Sequence, residues 1–373
     1  MDNAMSNAAT FKETVYEPQG PKPLTVRKVS EILALEFDPA DMLLPNGYLT
    51  KGNSLSIVGM GGLGKSRVVL QLAVACILGR QFFGWETQAQ GLRWLILQTE
   101  NGNRRLKYDL TQMTGGMTPD EIAKLDNRLF IHTLEHDEDT FVSLGNPEGQ
   151  QRVADAIGYH DADIVVFDVL RDFGAGDLNA DQFMTETCRT IGSITRKGNP
   201  KRIPLVVHHA LTGRAGAAKA TGFDRGGFGR NSKVLQGWTR AQINLAPFDP
   251  DNNDVLVVAS GKANDAVEFA PFAVRLNPEA MTYERDDSVD LEEWRERMGD
   301  GTGKKKARVT IYDVQKQVQE SGIDGMRKKE IVAYLTEERG IGKTKAYELV
   351  ESAEEKKLIR QRRGEKYVHP DLA

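Results

Sequence analysis

The stretch Gly59-Met60-Gly61-Gly62-Leu63-Gly64-Lys65-Ser66 has the spacing G-x-x-x-x-G-K-[ST]. Glycines let the backbone curl until several N–H groups face one point, and such a nest holds phosphate oxygens. Lys65 then reaches β- and γ-phosphates, the Ser66 hydroxyl ligates Mg2+, and Arg67 is counted with the same cradle. A glycine-rich turn without a ligand is the plainer alternative. Three more runs end in residues that suit this chemistry. Trp94-Leu95-Ile96-Leu97-Gln98-Thr99 leads to Glu100, a carboxylate able to polarise an attacking water or, more plainly, a surface acid at a strand end. Asp163-Ile164-Val165-Val166-Phe167 leads to Asp168, the place for a carboxylate in the Mg2+ shell. Val206-Val207 leads to His208 and His209, where a polar group at a strand tip can sense the γ-phosphate. The two histidines are poor co-ligands for a metal, because adjacent strand residues point to opposite faces.

The elements that must carry these residues are legible as alternating patterns. Leu55–Val58 is a short apolar strand directly before the glycines, and Ser66–Leu78 is a helix directly after them. Further strands are expected at 94–97, 129–132, 164–167 and 204–208, with helices near 103–113, 118–126, 148–158 and 180–197. Strands alternating with helices predict an α/β fold with a mostly parallel central sheet. Runs at 240–245, 255–260 and 272–276 look like antiparallel strands appended to the sheet edge.

The chain has 373 residues, of which 40% are hydrophobic and 27% charged, enough to bury a sizeable core. Two cysteines exclude a disulfide framework and a cysteine-rich zinc site. No apolar run is long enough to span a membrane and the start has no secretory character, so no membrane partner and a cytoplasmic setting are expected. From Lys304 onward there are 17 Lys/Arg and 12 Asp/Glu, a net of +5, whereas residues 1–303 carry −9. A basic tail on an acidic body points weakly to nucleic acid. The expected divisions are a flexible arm at 1–24, an ATPase domain at 25–285, a polar linker at 286–307 and a small basic module at 308–373.

With the four strand ends in place, the chain resembles the RecA-like P-loop ATPases, and within them the RepA-type hexameric replicative helicases of plasmids. The residues that carry the resemblance are 59–66, Glu100, Asp168-Val169-Leu170-Arg171-Asp172-Phe173 and His208-His209. Gly229-Arg230-Asn231-Ser232, Trp238-Thr239-Arg240 and Ser260-Gly261-Lys262-Ala263-Asn264 are also similar. The resemblance implies ATP with Mg2+ bound between neighbours in a homo-oligomeric ring, a hexamer. It also implies Glu100 as catalytic base, His208 or His209 as γ-phosphate sensor, and Arg240 as an arginine finger in the next subunit's site. Arg230 and Lys262 are second candidates for that cross-subunit role. The chain departs from the family in having Asn101-Gly102 after Glu100 and Arg230-Asn231-Ser232-Lys233 in place of Arg-Gly-Ser-Ser.

The stretch 211–233 reads as too glycine-rich to pack. It offers Arg214, Lys219 and Arg225 with Phe223 and Phe228 for single-stranded DNA, or it is a plain surface loop. Residues 308–373 read as a winged helix-turn-helix. Lys343, Thr344 and Lys345 start its third helix, and Arg360, Arg362, Arg363 and Lys366 lie on its hairpin, all placed for duplex DNA unless the module binds protein. Two functions fit: an ATP-driven replicative helicase of a mobile element, or an ATP-switched loader, partition factor or regulator that unwinds nothing. A recombinase-like filament is a third.

Overall fold

A computed structural model of the chain describes residues 24–44, 46–88, 91–222, 224–230, 232–249, 251–298, 310–339, 342–362 and 366–370. The chain divides into two units, Met1–Asp41 and Met42–Ala373. In the first, the described part holds a short helix, α1 (Val29–Leu33), and a single 3-10 turn at Pro39–Asp41. Its apolar side chains, Leu24, Val26, Val29, Leu33 and Phe37 among them, are exposed.

The second unit starts with β1 (Leu55–Gly59), whose five residues are all buried, and α2 (Lys65–Leu78). There follow β2 (Trp94–Gln98), α3 (Asn103–Thr114), α4 (Pro119–Asp126), β3 (Leu129–Ile131), α5 (Pro147–His160), β4 (Ile164–Asp168), α6 (Asp181–Arg196) and β5 (Ile203–His209). After the short α7 (Arg214–Ala218) and α8 (Ser232–Trp238) come β6 (Ala241–Asp249), β7 (Asn252–Ala263), β8 (Phe272–Asn277) and β9 (Thr282–Arg285). These nine strands form one sheet in the order β3-β2-β4-β5-β1-β6-β7-β8-β9. β3, β2, β4, β5, β1 and β6 run parallel, and β7, β8 and β9 continue antiparallel. The sequence places β6 among the antiparallel additions; it pairs parallel with β1 instead, from Leu55 opposite Ala241 to Gly59 opposite Leu245.

The alternation of side chains builds two cores on the two faces of the sheet. Trp94, Ile96, Ile164 and Val166 pack on one face with α2, while Leu95, Leu97, Val165 and Phe167 pack on the other with Val153 of α5 and Met184 of α6. Strands buried on both faces read as continuous apolar runs. Their parallel direction brings Gly59 beside His209, and Gln98 beside Asp168, at one edge of the sheet. Ligands bind at this carboxyl edge in open α/β sheets.

The expected linker at 286–307 does not hold over its first part. Residues Leu291–Met298 form a helix, α9, with Trp294 wholly buried beside Val58, Phe228 and Val257 and donating from Nε1 to Pro247 O at 2.9 Å. A charged surface stretch hid one large anchor. Trp294→Ala is expected to lower stability by about 3–5 kcal/mol, read as a shift in the denaturant midpoint; an unchanged midpoint would mean α9 does not dock. The rest of that linker, and the arm at 1–23, lie outside the described residues.

The C-terminal part holds α10 (Ile311–Glu320), β10 (Met326–Arg327), α11 (Lys328–Glu337), α12 (Lys343–Glu355), β11 (Arg360–Arg362) and β12 (Lys366–Val368). The strands form an antiparallel sheet in the order β10-β12-β11. Val314, Val318, Ile331, Leu335, Val350 and Ile359 make a separate small core. Thr310 and Asp313 form a capping box at the start of α10, and Asp313 also pairs with Arg339 at 2.6 Å.

Candidate active site

Between β1 and α2 the chain turns through Gly64, which sits at φ +75° ahead of Lys65. A Cβ there would lie 2.5 Å from the Tyr283 hydroxyl, so conformation and space both demand glycine. Cβ atoms at Gly61 and Gly62 would meet nothing within 4 Å, which leaves that side of the loop open to a ligand. Lys65 is buried and donates to Met60 O at 2.7 Å, with His209 Nδ1 3.4 Å away. Burial pushes the Lys65 ammonium down, and Asp168 and Glu100 oppose that.

A pocket of about 270 Å3 opens beside this loop, lined by Lys65, Ser66, Arg67, Glu100, Asp168 and His209 among others. Of the residues expected from sequence, the glycine loop, Ser66, Arg67, Glu100, Asp168 and His209 thus converge. Glu100 Oε1 lies 3.5 Å from His209 Nε2 and 3.9 Å from Arg171 Nη2. The His209 hydrogen bond, with the Lys65 and Arg171 charges behind it, outweighs partial burial and holds the Glu100 carboxyl below its usual range. Glu100 is therefore an ionised acceptor, half-exposed to incoming water.

Asp168 is buried, and burial raises its carboxyl to about 6, opposed by a hydrogen bond with Ser66 and by the Lys65 charge. Its Oδ2 has no hydrogen-bond partner among the described residues. A buried carboxylate with a spare oxygen beside a serine hydroxyl fits a hard, oxygen-seeking dication. Ser66 and Asp168 would hold Mg2+, which supplies charge neutralisation between the β- and γ-phosphates when bound.

The histidine pair splits. His208 is buried, donates from Nε2 to Arg230 O at 2.7 Å, and burial pushes it down to about 4. Unlike His209, it does not line the pocket. Alternation along β5 is the reason: one of two neighbours must point away. Arg230 has an exposed side chain outside the pocket; its N–H donates to His209 O at 3.0 Å.

Arg240 and Lys262 lie elsewhere. Arg240 is exposed just before β6, at the amino end of the parallel strands, whereas the phosphate loop is at their carboxyl end. Lys262 faces Gln242 across the β6–β7 ladder. Burial, and after it the Arg240 charge, pushes Lys262 and Arg196 down, so three cations stand near one another at this end. Neither Arg240 nor Lys262 lines the chain's own pocket.

The loop after β5 packs more than its glycines suggest. Ala217, Ala220 and Phe228 are buried, so Phe228 is not available for base stacking. Lys219 pairs with Asp224 at 3.2 Å, and Arg225 pairs with Glu268. Arg214 opens α7, while Phe223 and Asn231 lie outside the described residues. The loop is anchored by β6: Asn244 Nδ2 donates to Ala220 O and Arg225 O at 3.0 and 2.8 Å. Lys343, Thr344 and Lys345 are exposed at the start of α12, with Lys345 paired to Glu348, and Arg360 and Arg362 are exposed on β11. Lys366 donates to Asp324 O at 3.0 Å, and Arg363 lies outside the described residues.

Residues to which sequence reasoning gives no role of their own are Arg171, Arg105, Asp109 and Tyr283. Arg105 and Asp109 are findable as an i,i+4 ion pair on the helix after Glu100, at 3.1 Å. Tyr283 has no local signal; its hydroxyl donates to Leu63 O at 3.2 Å across 220 residues.

A glycine loop entering a helix, a strand-end carboxylate for Mg2+, and the strand order β2-β4-β5-β1-β6 define a P-loop ATPase with a RecA-like α/β core. The AAA domain family matches residues 20–215, and the chain belongs to it. No curated protein matches the sequence. The fold is similar to that of a KaiC-like protein of the hyperthermophilic archaeon Pyrococcus horikoshii OT3, 12% identical, over 66% of this chain and 94% of that one, with a TM-score of 0.42. It is also similar to the ATPase domain of a second solved protein, 12% identical, over 64% of this chain and 86% of that one, with a TM-score of 0.46. Among the described residues, no helix is long and apolar enough to cross a membrane.

Proposed function

We propose that the chain is a Mg2+-dependent ATPase that works as a homo-oligomeric ring, a replicative DNA helicase of the RepA type. The observation that carries the catalytic part is Glu100, held ionised by His209 at the mouth of the pocket that also contains Lys65 and Asp168. Lys65 binds the β- and γ-phosphates, and Glu100 takes a proton from the attacking water. His209 touches both Lys65 and Glu100, so it is placed to register the γ-phosphate. Assembly is supported by the position of Arg240: a cation remote from its own pocket, among like charges, suits an anion brought by a neighbour.

The C-terminal part is proposed as a winged helix whose third helix, α12, and hairpin strand β11 meet duplex DNA. Removing residues 308–373 is expected to weaken DNA binding and to flatten its dependence on salt, by about 0.9 in log–log slope for each phosphate that is no longer neutralised. An unchanged slope in a filter-binding titration would move the module to a protein partner.

One observation favours the second function. Among the described residues of the loop after β5, Lys219 and Arg225 are engaged by acids and Phe228 is buried, which leaves these three less available to single-stranded DNA. The deciding experiment is ATP hydrolysis with and without single-stranded DNA, with Lys65→Ala as the blank. Strong stimulation supports the motor. Slow hydrolysis indifferent to single strands, in a protein that still binds duplex, supports a loader, partition factor or regulator.

A further inference from the structure

The side-chain contacts of Glu100 are too long to aim it. Its carboxylate is half-exposed, 3.5 Å from His209 Nε2 and 3.9 Å from Arg171 Nη2. Both distances lie at or beyond the limit of a hydrogen bond. A general base must come within about 2.6–3.2 Å of the group it deprotonates, and a misplacement of about 1 Å can cost about 10²-fold in rate. The aim of Glu100 therefore comes from the backbone turn that carries it.

That turn is closed on one side and anchored on the other. Gln98, buried at the end of β2, accepts the Asn101 N–H with Oε1 at 2.7 Å and donates from Nε2 to His132 O at 2.8 Å. Thr99 and Glu100 lie inside the loop that the Gln98–Asn101 bond closes. Thr99 is buried; its N–H donates to Asp168 O at 2.9 Å and its hydroxyl to Asp172 Oδ2 at 2.8 Å, with Asp168 O also 3.3 Å from the hydroxyl. Asp172 is a buried residue of the 3-10 turn Leu170–Phe173 that follows β4. Its other oxygen, Oδ1, accepts from Arg171 Nε at 3.0 Å, and Arg171 is the cation that faces Glu100. One buried carboxylate thus holds both the residue before Glu100 and the guanidinium beside it.

We propose that Asp172 is a positioning residue for hydrolysis: through the Thr99 hydroxyl and Arg171 Nε it fixes the Glu100 carboxylate relative to Asp168. The inference rests on Glu100 being the base. Asp172 does not line the pocket, so it acts only through its two partners. The strand that ends in Asp168 leads within two residues into the turn that holds Asp172, so the metal-position carboxylate and the anchor of the base belong to one segment. Burying a carboxylate is costly unless its oxygens are bonded, and both oxygens of Asp172 go to groups that set the place of Glu100.

The test is the single-turnover rate of ATP hydrolysis by the full chain, with affinity measured separately by equilibrium binding of a non-hydrolysable ATP analogue. Thr99→Val removes the hydroxyl but keeps the shape and the backbone bond to Asp168 O. It is expected to lower the rate by about 10- to 100-fold and to change affinity less than about twofold. Thr99→Ser restores the hydroxyl and should bring the rate back to within about threefold of wild type. A wild-type rate in Thr99→Val would overturn the proposal. So would equal losses in the valine and serine variants, or a loss of rate matched by a loss of affinity. The Arg171 side chain is 67% exposed, so Arg171→Gln decides the matter if Thr99→Val does not fold. It should slow hydrolysis about threefold, and an unchanged rate would overturn the arrangement. Failure of the base reading shows separately, as wild-type hydrolysis in Glu100→Gln. With Glu100→Gln inactive and Thr99→Val fully active, Glu100 stays the base and only positioning by Asp172 falls.

Discussion

Glu100→Gln is expected to bind ATP and fail to hydrolyse it, with kcat lowered by about 10²- to 10⁴-fold. The substitution keeps size and polarity and removes only the basic oxygen. ATP affinity should change little, because the proposed binding groups are Lys65 and the open glycine loop. The environment is the reason this acid rather than Asp168 is proposed as the base. His209 and the nearby cations keep Glu100 ionised, while burial raises Asp168 and its hydrogen bond with Ser66 ties it to the metal position. Single-turnover hydrolysis together with nucleotide binding checks the point. A glutamine variant that hydrolyses at the wild-type rate would remove Glu100 from the mechanism.

Arg240→Ala should have an effect of similar size, about 10³-fold or more, and only in assembled protein. Arg240 stands at the opposite end of the parallel strands from its own phosphate loop, and so it cannot serve its own ATP. Under the ring proposal, the nucleotide it serves belongs to a neighbour. Mixing Arg240→Ala subunits with Glu100→Gln subunits is therefore informative. The first keep a working pocket and the second keep the arginine, so mixed assemblies should regain part of the activity. Mixtures that assemble but stay inactive would rule out a finger acting across the interface. Lys262 and Arg196 provide the comparison, since they share the same cationic end without standing as far into solvent.

Much of the architecture is written in local patterns. The parallel strands β1 to β5 are visible as short apolar runs, because strands buried on both faces, as β1, β2, β4 and β5 are, carry mostly apolar residues along their length. The polar residues at their ends are the catalytic candidates. β6 reads as an antiparallel addition and is not one, since an apolar run has the same composition whichever direction it pairs. α9 reads as linker because its exposed face is acidic and basic, and the single buried Trp294 does not outweigh that. The loop after β5 reads as unable to pack, yet small residues pack well when a neighbouring strand offers amides to their backbone, as Asn244 and Gln242 do here.

The sequence by itself determined the reaction's phosphate chemistry, the order of the sheet-forming segments, and a short roster of candidates for each role. Spacing suffices for these, because a phosphate loop and a strand end are local objects. Tertiary structure decided which candidates meet. It put His209 rather than His208 in the pocket lining by the facing of one strand, placed Arg240 at the far end of the parallel strands from that pocket, and brought Arg67, Arg105, Asp109 and Tyr283 together from two helices and a strand distant in the chain. Charge and hydrogen bonding act through space at 3–4 Å, and no pattern along the chain encodes that distance.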